Sequence, residues 1–163
     1  MWPAEPDQAK LLIIGLAPGL HGANRTGIPF TGDASGDLLF KTLRSHNLAP
    51  EQHATCITNV VKCVPPENRP NGTELKRCRR YLTQELASFK SGVVLCLGRT
   101  SHDSVITALG HTRPQFPFSH GANHQLDDIV IVDSYHCSRY NINTGRLTEE
   151  MFNQVISQVK ALL

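Results

Sequence analysis

The chain has 163 residues, of which 40% are hydrophobic and 18% charged, and its formal net charge is +2 at pH 7. This length and composition predict one soluble globular domain, residues 1–163, that can bury a core. No apolar run approaches the roughly 20 residues that cross a bilayer, and the small net charge leaves only local clustering to attract nucleic acid. The five cysteines are an odd number and no signal-peptide pattern is seen, so we expect a cytoplasmic protein without a disulfide framework.

Four short apolar runs predict β-strands, and four amphipathic segments predict α-helices. The strands are expected at Leu11–Leu16, Thr55–Val61, Val93–Leu97 and Ile129–Asp133. The helices are expected at Asp37–His46, Thr73–Phe89, Ser101–Leu109 and Thr148–Leu163. Their alternation is typical of an α/β fold, and we predict a three-layer αβα architecture with a central, mostly parallel sheet of four strands. The segment Gly110–Gln125 contains Pro114 and Pro117 and is predicted as a loop, or as an edge hairpin that leads into the last strand.

Two loops that follow predicted strands indicate a binding pocket. A glycine-rich segment begins at Gly15, where the first apolar run ends, and His136 comes just after the last apolar run. A glycine-rich loop at the carboxyl end of a buried strand brings backbone N–H groups close to a ligand. Because the carboxyl ends of parallel strands share one edge of a sheet, we expect the two loops to form one pocket.

Six segments along the chain resemble motifs of a known family. They are GLAPG from Gly15, NRTG from Asn24, PFTGD from Pro29, TNVVKCVPPENRP from Thr58, SYHCSR from Ser134 and NTGRLT from Asn143. In this order they resemble the uracil-DNA glycosylase superfamily, closest to family 5 and related to family 4. Family 4 enzymes carry a glutamate after the first glycine, whereas this chain has Leu16, as family 5 members do.

The resemblance implies a monofunctional hydrolase of base excision repair. Such an enzyme flips uracil, or another deaminated base such as hypoxanthine or xanthine, out of DNA and hydrolyses its N-glycosidic bond, leaving an abasic site. The implied partner is DNA that contains such a base, with no membrane, and we expect a monomer. Two alternatives stay open: a damaged-DNA or nucleobase-binding module that has lost the chemistry, and an α/β enzyme whose glycine loop cradles a phosphate. The absence of Lys-Ser or Lys-Thr after that loop argues against a nucleoside triphosphate site.

Breaking this bond puts positive charge on the sugar and negative charge on the departing base. The resemblance assigns His136 as the donor to the departing uracil O2, a role worth roughly 3–4 kcal/mol in comparable oxyanion sites. The alternative is a structural histidine at a strand end. Phe30 matches the aromatic residue that stacks on the flipped base, and the alternative there is an ordinary core phenylalanine.

The remaining substrate contacts come from the same motifs. Asn59 matches a residue that reads the uracil edge, since an amide both donates and accepts, or it caps a turn; Asn68 is a weaker alternative. Asp33 either orients water and steadies the sugar cation, or only caps the helix that begins near Ser35. The other predicted contacts lie in the first motif: Gly15, Leu16, Ala17 and Gly19.

DNA binding requires phosphate contacts, which we expect from loops at the pocket mouth. The predicted residues are Arg25, Ser138, Arg139, Tyr140 and Arg146. Family members place a loop that enters the gap left by the flipped base where this chain has Arg139 and Tyr140. A single arginine is about as often only a solvated surface charge. The basic run Lys76–Arg80 is interpreted as a solvated helix face.

In one respect the chain departs from family 4 and family 5 enzymes, which hold a 4Fe–4S cluster on four cysteines. Cys63 and Cys78 match two of those ligands, but the chain has no CxxC pair to supply the other two. We therefore expect neither a cluster nor another cofactor. His120 and His124 are four residues apart in a predicted loop, which makes a zinc site a weak alternative. Cys137 stands where the family usually has proline.

Overall fold

A computed structural model describes residues 5–20 and 22–163 of the chain, except for the side chain of Asn68. Five strands form one sheet in the order β2-β1-β3-β5-β4. They are β1 (Leu11–Gly15), β2 (Thr55–Asn59), β3 (Gly92–Leu97), β4 (Asn123–Leu126) and β5 (Ile129–Ser134). The pairs that join β1, β2, β3 and β5 are parallel, and only β4 runs antiparallel to its neighbour β5.

Six α-helices accompany the sheet in the described residues. They are α1 (Ala23–Thr26), α2 (Ala34–Ser45), α3 (Gly72–Ser88), α4 (Arg99–Ala108), α5 (Arg139–Asn143) and α6 (Glu149–Leu162). Short 3-10 turns occur at Pro6–Gln8, Pro66–Asn68 and Arg113–Gln115. None of the helices described is both long enough and apolar enough to cross a membrane.

The alternation of side chains along the central strands builds a core on each face of the sheet. One core joins Leu11 and Ile13 of β1 to α2 and α6, and its largest fully buried side chain is that of Phe152. The other core joins Leu12 and Ile14 to α3 and α4. The predicted three-layer αβα fold is therefore confirmed, and all four predicted strands and all four predicted helices are present near their expected positions.

The prediction of four strands is one strand short. The additional strand, β4, is the first arm of an edge hairpin in the segment for which we predicted a loop or a hairpin. Its sequence NHQL has no apolar run, because an edge strand is paired on one side only and buries little of its surface. Of its four residues, only Leu126 is buried.

The sheet topology creates a crevice between β1 and β3. From β1 the chain crosses to β2 on one side, whereas from β3 it continues to β5 on the other. The helices that follow these two strands lie on opposite faces, α2 on one and α4 on the other. In open α/β sheets, this reversal leaves a crevice outside the carboxyl ends of the strands, where ligands bind.

Candidate active site

A cavity of about 560 Å³ lies at this crevice. The loops after β1 and β5, the last residue of β2 and the start of α4 line it. Among the residues predicted from sequence, those that line the cavity are Leu16, Ala17, Gly19, Phe30, Asp33, Asn59, His136, Ser138, Tyr140 and Arg146. Five of the six motifs thus meet at one site.

Gly15 is the point at which two of the predicted base contacts meet. It pairs with Asn59 across β1 and β2, and a Cβ atom at Gly15 would overlap both the Asn59 side-chain oxygen and the Phe30 ring. Gly15 itself does not line the cavity; its missing side chain leaves the space that these two groups occupy. The glycine therefore acts through packing and not through direct ligand contact.

Phe30 is held in an unusual backbone conformation. Its φ is +57°, in the left-handed region that bulky residues rarely adopt. The chain tolerates this because Gly36, in the first turn of α2, has no Cβ atom where the Phe30 carbonyl lies. The turn places the Phe30 ring beside the His136 ring, with centroids 5.9 Å apart and planes inclined by 27°.

Hydrogen bonds fix the loop that carries His136. The Asn141 side-chain amide donates to the His136 carbonyl at 2.8 Å, and the Gly98 N–H donates to the Ser134 carbonyl at 2.8 Å. Cys137 is buried, and its thiol donates to the Ser35 carbonyl at the start of α2. Burial raises the pKa of Cys137 to about 12, so the thiol stays protonated and keeps this contact.

The electrostatic surroundings of His136 favour a neutral ring. Burial lowers the pKa of His136, and the nearby Asp33 carboxylate opposes this only in part. A neutral imidazole carries one N–H donor and one acceptor nitrogen. At neutral pH, His136 can therefore donate a hydrogen bond into the cavity without bringing a positive charge.

Asp33 caps α2, which is one of the two roles that the sequence left open to it, and its catalytic role stays a prediction. Its Oδ1 accepts the Gly36 N–H at 2.9 Å and caps α2. Its Oδ2 faces the first loop, 3.0 Å from where a Cβ atom on Gly19 would lie. One carboxylate oxygen thus anchors the helix, while the other stays at the cavity wall.

A buried ion pair lies behind Asn59. The Lys62 ammonium is 2.7 Å from the Glu85 carboxylate, and their side chains are only 7% and 1% exposed. The same ammonium donates to the Asn59 carbonyl at 2.8 Å and to the Thr58 hydroxyl at 2.7 Å. Burial lowers the pKa of Lys62, and the Glu85 carboxylate opposes that shift. This cluster ties the end of β2 to α3.

A second buried cluster joins α4 to β5. His102 Nδ1 lies 2.8 Å from an Asp133 oxygen, and its Nε2 lies 2.7 Å from the Phe116 carbonyl. Because both partners are acceptors, we assign a hydrogen to each nitrogen. Burial works to lower the pKa of His102, but the hydrogen bond and charge of Asp133 outweigh it, so the pKa is raised.

These residues include the most compact set of potential metal ligands in the described chain. Donor atoms of His102, His124 and Asp133 lie within 4.8 Å of one another. A metal at His102 Nδ1 would displace the hydrogen that this nitrogen shares with Asp133 Oδ1. His124 Nε2 lies 3.4 Å from Asp133 Oδ2, so we interpret the set as a buried histidine–carboxylate cluster. The weak zinc alternative paired His124 with His120, but His120 instead accepts the Tyr135 N–H at 3.0 Å.

The cysteines do not fit a four-cysteine cluster. All five are free thiols; Cys63 is exposed, whereas Cys78 is buried on α3. Cys96 and Cys137 are buried in the cores on opposite faces of the sheet. The expectation that this chain binds no iron–sulfur cluster stays a prediction.

The predicted DNA contacts fall into two groups. Ser138 caps α5, Tyr140 is 73% exposed at the cavity, and the Arg146 guanidinium lies 4.7 Å from the centre of the Tyr135 ring. Arg25 and Arg139 are exposed but do not line the cavity. The Asn68 side chain lies outside the described part of the chain.

The sequence interpretation missed several residues of the cavity wall. They are Arg69, Arg99, Phe118, Tyr135 and Asn141. A usable signal existed for Arg99, which follows Gly98 at the exit of the third predicted strand, in the same relation to β3 as the first motif has to β1. No comparable signal marks Phe118, which comes from the edge hairpin.

The comparison with known proteins agrees with this fold. A family model of the uracil DNA glycosylase superfamily matches residues 3–160, and the chain therefore belongs to that superfamily. This confirms the resemblance on which the sequence interpretation rested.

Two of its relatives are named type-5 uracil-DNA glycosylases. The protein of Thermus thermophilus is 40% identical over 167 residues, covering 95% of this chain and 76% of the relative. The protein of Pyrobaculum aerophilum is 37% identical over 164 residues, covering 94% of this chain and 72% of the relative. A type-4 uracil-DNA glycosylase of Sulfurisphaera tokodaii is 30% identical over 155 residues, covering 91% of this chain and 69% of the relative. Type 4 is therefore the more distant group, as Leu16 predicted.

Proposed function

We propose that this chain is a monofunctional uracil-DNA glycosylase that hydrolyses the N-glycosidic bond of uracil in DNA and leaves an abasic site. The observation that carries the proposal is the position of the His136 ring, 5.9 Å from the Phe30 ring at one cavity. Asn59 reaches the same cavity across Gly15. A stacking ring, an amide and a neutral imidazole are the groups that recognition and departure of a flipped uracil require.

Each of these side chains has a distinct task in the proposed reaction. Phe30 stacks on the flipped base, and the Asn59 amide pairs with the adjacent C=O and N–H of uracil. Water adds to C1′ as the bond from C1′ to the base breaks, and the bonding electrons leave with the base. The proton that the water loses passes to solvent. His136 donates a hydrogen bond to O2 of the departing anion, and Asp33 Oδ2 orients the water.

The substrate range extends, in this proposal, to other deaminated bases such as hypoxanthine and xanthine. Leu16 supplies no acid or base at the start of the first motif, so catalysis depends on His136, Asp33 and backbone groups. A site without a strong general base discriminates less by chemistry and more by fit. The cavity of about 560 Å³ has room for a purine as well as a pyrimidine.

An excision assay tests this function. Purified protein is incubated with labelled oligonucleotides that carry uracil, hypoxanthine or xanthine, and abasic sites are then cleaved with alkali. We expect strand breaks at uracil, and slower breaks at the two deaminated purines. Binding of the uracil oligonucleotide without any break would instead support the alternative module that holds the base but does not cleave it.

Replacing Gly15 with alanine is expected to lower uracil excision by at least about tenfold. The new Cβ atom overlaps both the Asn59 side-chain oxygen and the Phe30 ring, so at least one base contact must move. A displacement of roughly 1 Å can cost about 10²-fold in rate. The measurement is single-turnover excision with saturating protein.

Gly72→Ala is the matched control, because a Cβ atom at this first residue of α3 meets no atom within 4 Å. It should excise uracil at the rate of the unmodified protein. Equal rates for Gly15→Ala and Gly72→Ala would show that the space that Gly15 leaves for Asn59 and Phe30 does not matter for excision.

A further inference from the structure

Two arginine side chains at the cavity rest on aromatic rings. The Arg99 guanidinium lies 5.1 Å from the centre of the Phe118 ring, and that of Arg146 lies 4.7 Å from the centre of the Tyr135 ring. The two rings are neighbours, with centroids 6.1 Å apart. All four residues line the cavity, so both guanidinium groups belong to side chains of its wall.

Neither guanidinium has an acidic partner in the described part of the chain. Other exposed arginines do: Arg44 pairs with Glu51, and Arg113 with Asp103. Among the described residues that line the cavity, Asp33 is the only one with a carboxylate, and one of its oxygens caps α2. With Arg69 added, the cavity carries three arginines against one acid. Such an excess of positive charge favours an anionic partner.

Stacking prepares each guanidinium for a particular kind of anion. The ring holds the plane of the guanidinium while its N–H edge stays available to donate. A fixed fork of donors matches the oxygens of a phosphate, and the entropy lost on binding is smaller than for a free side chain. An arginine that is only solvated at the protein surface does not need a ring to hold its guanidinium in place.

We propose that Arg99 and Arg146 bind two backbone phosphates of duplex DNA, with Phe118 and Tyr135 as their supporting rings. This inference rests on the proposed function, because it takes DNA as the ligand of the cavity. It adds Arg99 and Phe118, neither of which belongs to a motif that indicated DNA binding. Arg99 is the first residue of α4, so the new contact comes from the β3 side of the crevice.

The salt dependence of DNA binding measures these contacts directly. Each phosphate neutralised in a duplex contributes about 0.9 to the slope of log K against log salt concentration. Dissociation constants for a duplex without a damaged base are measured by fluorescence anisotropy over a series of salt concentrations. We expect Arg99→Gln and Arg146→Gln each to reduce the magnitude of the slope by about 0.9, and the double variant by about 1.8.

Arg80→Gln is the matched control. Arg80 also stacks on a ring, 4.7 Å from the centre of Tyr81, but it lies on α3 and does not line the cavity. The salt slope measured with Arg80→Gln should equal that of the unmodified protein. A slope for Arg99→Gln equal to that of Arg80→Gln would overturn the proposal. Because Arg99 is exposed, its replacement by glutamine should leave the melting temperature unchanged, and this is checked first.

Phe118→Leu tests the supporting ring separately from the charge. The arginine keeps its charge in this variant, so the slope should be retained while binding weakens a few-fold at every salt concentration. Unchanged affinity would remove Phe118 from the proposal. If Arg99→Gln reduced the salt slope but the unmodified protein did not excise uracil, the proposed function would be refuted and this inference supported. If the unmodified protein excised uracil but Arg99→Gln left the slope unaltered, the proposed function would be supported and this inference refuted.

Discussion

His136→Ala is expected to excise uracil roughly 10²–10³-fold more slowly than the unmodified protein, the usual effect of removing one donor to a developing anion. The neutral His136 ring beside Phe30 provides that donor, and alanine provides none. The rate is measured under single-turnover conditions, so that product release does not hide the chemical step. Binding of a uracil-containing duplex should change by much less, because the donor acts mainly on the transition state.

Two further variants support the interpretation of this result. His111→Ala removes an exposed histidine that does not line the cavity and should keep the full rate. His136→Gln retains an N–H donor on a flexible chain and should recover part of the lost rate. If His136→Ala excised uracil as fast as His111→Ala, the assignment of His136 as the donor would be wrong.

Lys62→Met is expected to lower the free energy of unfolding by about 3–5 kcal/mol, the usual cost of removing one partner from a buried pair. The substitution leaves the Glu85 carboxylate, 1% exposed, without the Lys62 ammonium. Urea denaturation followed by circular dichroism measures the change. Lys41→Met is the matched control, because Lys41 and Glu149 are 69% and 63% exposed and such pairs contribute at most about 1 kcal/mol.

The double variant Lys62→Met with Glu85→Leu separates stability from function. Replacing both charges with apolar groups avoids a buried Glu85 charge that lacks the opposite charge of Lys62, so stability should return to near that of the unmodified protein. In both variants the main-chain carbonyl of Asn59 lacks the Lys62 ammonium that donates to it at 2.8 Å. Excision should therefore be slower than in the unmodified protein in the single and in the double variant. Recovery of both stability and excision would mean that the ion pair does not help to position Asn59.

The sequence predicted most of the fold because its signals are local. The parallel strands β1, β3 and β5 are short apolar runs that are almost entirely buried, and each long helix has an apolar stripe. Strand β4 gave no such signal, since its pairing with β5 depends on contacts across the hairpin. The helices α1 and α5 are four and five residues long, too short for a periodic pattern.

The candidate site was predictable only as far as motifs mark it. Phe30, Asn59 and His136 follow strand ends, and the topology brings those ends to one edge. The support behind them joins distant parts of the chain: Lys62 with Glu85, and Arg99 with Phe118. Neither partner of such a pair indicates the other in sequence, because the contact depends on how α3 and the edge hairpin pack.

The fit of Phe30 between two glycines makes mutations at these positions interdependent. At Gly15 the obstacle to a larger residue is the Phe30 ring together with the Asn59 amide, both of which are side chains. At Gly36 the obstacle is the Phe30 carbonyl, which every amino acid at position 30 retains. Alanine at position 15 should therefore become tolerable to folding in genetic backgrounds with small residues at positions 30 and 59. Alanine at position 36 should be rejected in every background that keeps this turn.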